Sequence, residues 1–182
     1  MLTPPYEVIP FRARLLPPLA ILLLLLPGCY SFRGISIPEG VERAYVPLFE
    51  DNTTSGPPPT LYIDLTERLR DKVRDDARLI ITDQQPDIQF TGTLVDFRVT
   101  AEGARAGNDV AAPASENHLT ITVAIEYRDL RTPDGDTWKQ NFSEFFPFDA
   151  NVPLATVQDQ AIEEIIELLN EKIFNKAFAE DW

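Results

Sequence analysis

Between Leu119 and Tyr127 the chain alternates without a break. Leu119, Ile121, Val123, Ile125 and Tyr127 are apolar, while Thr120, Thr122, Ala124, Glu126 and Arg128 are polar or small. Successive side chains of a strand point to opposite faces, so this pattern predicts a strand with one buried and one wetter face. Trp138 to Phe148 repeats it, with Trp138, Phe142, Phe146 and Phe148 on one parity. Thr132-Pro-Asp-Gly-Asp136 between the two runs has the residues of a tight reversal. Ile88 to Ala101 predicts a third long strand whose apolar parity changes, from Ile88, Phe90 and Leu94 to Val95, Phe97 and Val99. A one-residue slip flips every side chain, so a bulge near Gly92–Val95 is expected. Gly103 to Glu116, small and polar, predicts a flexible hairpin loop.

The period then changes. Leu61, Leu65, Leu69 and Val73 recur every four residues and predict a helix with Thr60 as its N-cap and Asp75-Asp76 at its end. Its charged residues read as a solvated face. A second helix is expected from Leu154 to about Phe178, with a stripe of Val157, Ala161, Ile165, Leu168 and Leu169, widened by Ile162, Ile166, Ile173 and Phe174. Upstream, Val41–Phe49 predicts a strand in which Pro47, lacking an N–H, marks an edge or a bulge. Glu50–Pro59 is a break, Leu79–Thr82 a short strand, and Gln84–Asp87 a turn. This order gives an α+β two-layer sandwich, a mostly antiparallel sheet of four to five strands with two helices packed on one face. The other face stays comparatively polar, which suits a domain that sits against something else.

One stretch fits no element of this fold. Arg12 and Arg14 precede an uncharged run from Leu15 to Leu26, followed by Pro27-Gly28-Cys29. As a helix that run is about 18 Å long, short of a bilayer core of roughly 30 Å. A charged start, a short apolar run and a small residue at the cut predict a secretory signal peptide, residues 1–28. Leu26-Pro27-Gly28-Cys29 resembles the lipobox of bacterial lipoproteins. That resemblance implies cleavage between Gly28 and Cys29 and lipidation of Cys29; what remains, 29–182, has the length of a single domain. Tyr30, in place of the Asp that retains such proteins at the inner membrane, implies sorting to the outer membrane.

Composition then removes function classes. The formal net charge is −13 over 182 residues. Loss of residues 1–28 takes away Arg12, Arg14 and Glu7, giving −14. Such a chain repels nucleic acid and bare anionic surfaces, so membrane attachment falls to the lipid. Cys29 is the lone cysteine and His118 the lone histidine, so thiol catalysis, disulfides and imidazole-based metal sites or relays are not expected. His118 is expected to be solvent-exposed or in a turn. Asp134-Gly-Asp136 lacks the later ligands of a calcium loop. Asn52-Thr-Thr54 and Asn141-Phe-Ser143 match a glycosylation pattern by chance, and no glycine-rich phosphate loop is present. No cofactor and no catalytic group is expected.

Several short pieces, in this order, resemble one family: Gly28-Cys29-Tyr30-Ser31-Phe32 with Gly34, Val46-Pro47-Leu48-Phe49-Glu50-Asp51-Asn52, Leu65 to Lys72, Phe90-Thr91-Gly92, Asn117 to Val123, Asn141-Phe142-Ser143, and Ile173 to Ala177. The mature chain resembles the LPS-assembly lipoproteins (LptE) in their Bacteroidetes-like form. The resemblance implies a two-helix, four-stranded sandwich. It implies an outer-membrane lipoprotein that plugs the LptD-type β-barrel translocon and helps it insert lipopolysaccharide into the outer leaflet. It also implies lipopolysaccharide as a partner. Arg98, Arg105, Arg128, Arg131 and Lys139, in or near the hairpins, are the candidate contacts. The other reading is a glycolipid-binding or adaptor subunit of another envelope machine.

Overall fold

A computed structural model describes residues 36–102 and 116–179. Its centre is the meander that alternation predicts: β4 (Ile88–Glu102), β5 (Glu116–Asp129) and β6 (Thr137–Asp149), antiparallel throughout. The bulge falls where the parity changes. Leu94 pairs with Val123 and Asp96 with Thr122, leaving Val95 as the extra residue. Phe97 thereby returns to the core face at 7% exposure, and Val99, on the same face opposite Leu119, is left 42% exposed.

The N-terminal strands depart from the expected plan. Val41–Phe49 is not one strand: β1 (Arg43–Tyr45) and β2 (Glu50–Asp51) flank a non-strand stretch around Pro47. Both pair with β4 in parallel, and β1 pairs in parallel with β3 (Ile80–Ile81) as well. The sheet thus has six strands in the order β3-β1-β4-β5-β6, with β2 on β4 beyond β1. β1 is interior rather than an edge, and Ala44 is fully buried. Val46 and Phe49 also turn into the core, so burial rather than pairing fixes the interruption.

The two helices, α1 (Leu61–Asp75) and α2 (Leu154–Phe178), cover one face, as expected. They run in the same direction: Leu61 lies near Ile162, and the Lys72 ammonium lies 5.4 Å from the centre of the Phe174 ring. Leu61, Leu65, Leu69 and Val73 are all at most 1% exposed. Thr60 occupies the N-cap position but makes no side-chain cap bond. In α2 the expected Leu168 is 38% exposed. Asn170, which apolar periodicity passes over, is buried with its Oδ1 unpartnered. Thr66 is the other buried polar residue among those described. Its hydroxyl donates to Tyr62 O (2.7 Å) and accepts from Phe49 N–H (3.0 Å), tying α1 to the segment between β1 and β2. An orphaned buried N–H there would cost about 1–3 kcal/mol.

Candidate functional site

With the helices on one face, the opposite face of the meander is left to small polar side chains. Strand alternation puts Thr91 and Thr93 of β4, Thr120 and Thr122 of β5, and Asn141 and Ser143 of β6 on that side. All are half-buried or exposed. The Thr122 and Ser143 hydroxyls lie 3.0 Å apart across the strands. Ala124, with no side chain beyond Cβ, leaves a shallow hollow of about 570 Å³ bordered by Thr93, Glu126, Lys139 and Asn141. The face is broad and hydroxyl-rich, and the charges among these hydroxyls come in pairs, Asp96 with Arg98 and Glu126 with Lys139. Such a surface can make many weak hydrogen bonds to a partner laid against it.

His118 belongs to this face. It is the third residue of β5, its side chain 19% exposed, so it is neither solvent-exposed nor in a turn. Its ring stacks on Phe145 at 4.5 Å between centroids and 18° between planes. Glu116 Oε2 lies 3.5 Å from Nε2, and Glu102 Oε1 lies 3.9 Å from Nδ1. Phe145 is half exposed, so the pair forms a small aromatic platform at the β4–β5 loop end.

The candidate cations do not form one cluster. Arg98 sits opposite Thr120, while Arg128 lies eight positions further along β5, which is about 27 Å of strand. Arg98 pairs with Asp96. Arg131 pairs with Asp129 at 2.6 Å and donates to Glu39 O, clamping the β5–β6 turn to the N-terminal segment. Lys139 pairs with Glu126 at 2.9 Å. Arg128 is exposed and has no ionic partner among the described residues. Arg105 lies outside the described residues, as do Gly28, Cys29, the stretch before them, Trp182 and most of the expected Gly103–Glu116 loop.

Perturbed ionisation marks joints of the fold. The Asp87 carboxylate accepts the backbone N–H groups of Glu42 and Arg43 at 3.0 and 2.9 Å, and meets the Arg43 guanidinium at 3.2 Å. Those bonds, the Glu42 amide first, hold it below the ordinary carboxylate value against the opposing effect of burial. Hydrogen bonding from Arg131 does the same for Asp129. Burial, reinforced by Asp129 and Asp136, pushes the Tyr127 phenol up to about 12. Tyr127 packs edge-on to Phe90 and flat on Trp138, so its role is in the core. Among the described residues no group of three or more His, Cys, Asp or Glu side chains is placed to hold a metal ion. None of their helices is long and apolar enough to cross a membrane.

Residues 41–177 match the model of a family described as LptE, lipopolysaccharide-assembly. No curated protein matches the chain. Among solved structures, a minor lipoprotein from Acinetobacter baumannii is 12% identical with a TM-score of 0.46, covering 74% of this chain and 91% of that one. A hypothetical protein from Chlamydia trachomatis is 7% identical with a TM-score of 0.49, covering 75% and 93%. Rare lipoprotein B from Shewanella oneidensis is 14% identical with a TM-score of 0.37, covering 71% and 89%. None of these three likenesses is close enough to argue from.

Proposed function

The chain belongs to the lipopolysaccharide-assembly family LptE, and from that premise we propose that it is a lipid-anchored outer-membrane protein that occupies the lumen of an LptD-type β-barrel. There it supports assembly of the barrel and insertion of lipopolysaccharide into the outer leaflet. The family is one of non-enzymatic envelope lipoproteins associated with lipopolysaccharide transport. The observation that carries the reading is the match over 41–177, which spans every strand and nearly all of both helices. The uncovered hydroxyl-rich face supports it physically. A polar barrel interior is lined by side chains and water, and a face of Thr, Ser and Asn meets such a wall without burying an unpaired charge. Depletion of the protein, with barrel assembly and surface lipopolysaccharide as readouts, tests this. Loss of both is expected, and normal levels of both refute it. Co-purification of the barrel with the full chain is the direct check.

Direct contact with lipopolysaccharide is a second reading, favoured by Arg128, the one described candidate cation without an acidic partner. Arg128→Glu is expected to weaken binding of labelled lipopolysaccharide, and unchanged affinity removes this residue from the contact.

A further inference from the structure

β6 is an edge of the sheet along its 13 residues. In an antiparallel pair the N–H and C=O of each residue point the same way, so every second residue of β6 turns both outward. Between Trp138 and Phe148 no backbone hydrogen bond reaches that outer side among the described residues. Natural edges are blunted by shortness, bulges, prolines or inward charges. β6 is long, the meander's bulge is on β4, and Pro147 comes only near its end. Its inward charge, Glu144, is answered by Lys172 of α2.

Beside this edge, between β6 and the C-terminal half of α2, lies a hollow of about 370 Å³ lined by Gln140, Phe142, Lys172, Asn175 and Lys176. Phe142, 5% exposed, gives it an apolar floor. Lys172 and Lys176 stand one helical turn apart on its rim. These are two of only four lysines in a chain of net charge −13, and with Lys172 taken by Glu144 it is Lys176 that gives the rim its positive charge. Lys176 has no ionic partner among the described residues.

We propose that β6 receives an extended segment of a partner protein as an added strand, with one apolar side chain in the Phe142 hollow and a neighbouring carboxylate on Lys176. A groove between an edge strand and a helix suits this mode: main-chain bonds give affinity, and pockets for alternate side chains give specificity. A second copy of the chain is the poorer occupant. It brings another −13 of charge, and its own lysine rim offers no carboxylate to the first. The inference does not rest on the barrel reading, since it concerns the opposite layer and edge and names only the chemistry of the segment.

The test uses the full chain in detergent and a fluorescein-labelled peptide of about eight β-forming residues, with one central Leu flanked by Glu. Saturable binding by anisotropy is expected, with hydrogen exchange slowed along Gln140–Phe146. The same peptide N-methylated at alternate amides should bind about tenfold more weakly. Lys176→Glu should weaken binding roughly fivefold with circular dichroism unchanged. Absence of binding, equal affinity for the N-methylated peptide, or protection confined to the hydroxyl-rich face each overturn the proposal. So does protection of β6 without peptide in a sample that sediments as a dimer, because the edge then belongs to a second copy.

Discussion

Gly92 of β4 has no Cβ because the ring of Phe49 occupies its place. A Cβ built there would stand 2.5 Å from three atoms of that ring. Phe49 is 2% exposed and held at its N–H by Thr66, so the ring has little room to yield. Gly92→Ala therefore overpacks the core, at a cost of about 1–3 kcal/mol. The better fit of alanine to a strand offsets roughly 0.5–1 kcal/mol of this. Phe49→Ala alone opens a cavity and costs about 3–5 kcal/mol. If the ring is the obstacle, Gly92→Ala should cost nothing further once Phe49 is alanine. The pair would then be non-additive by about 1–3 kcal/mol, the magnitude typical of residues in contact. Urea unfolding of the four proteins, followed by tryptophan fluorescence at constant m-value, measures this directly. Strict additivity of the two substitutions refutes the account.

Three further outcomes are expected. Thr66→Val leaves the Phe49 N–H without an acceptor and is expected to cost about 1–3 kcal/mol in urea unfolding, with Thr66→Ser recovering most of it. Asp87 has a lowered folded pKa, so its stabilisation is present above the ordinary value of 3.8 and is lost as pH falls through the lower folded value. Asp87→Asn should therefore be less stable than the parent at neutral pH, the gap narrowing below about pH 4, and a gap independent of pH would contradict this. Cys29→Ser is expected to keep the circular dichroism of the parent and leave the membrane fraction; retention with the outer membrane would make a protein contact the stronger anchor.

Elements whose cause is local were legible in the sequence. The β5 alternation, the β4 parity change and the α1 stripe each depend on neighbours within a turn or two, and each appears where the pattern places it. The split of Val41–Phe49 was not legible, because its partners are remote: Ala44 pairs with Ile88, and Phe49 fits a space left by Gly92. Thr66 and Asn170 were passed over as polar, although 66, 69 and 73, like 166, 170 and 173, follow the spacing of a buried helical face. Charges were the least legible. Arg98 and Arg128 both flank hairpins in the chain, yet the meander's length sets them at opposite ends of the sheet.

The parallel half of the sheet also has a kinetic meaning. β5 and β6 close across the short turn between Asp129 and Thr137, whereas β1 joins the sheet through remote pairings such as Ala44 with Ile88, and β3 joins it through β1. Closing long loops carries an entropy cost that must be met before such contacts stabilise anything, so the meander is the natural seed and the N-terminal strands dock late. Larger φ-values at Val123 than at Ala44 would record that order, and the reverse would exclude it. A chain built this way can be held at its N-terminal side while it folds, because the strands nearest the hold are the last to dock.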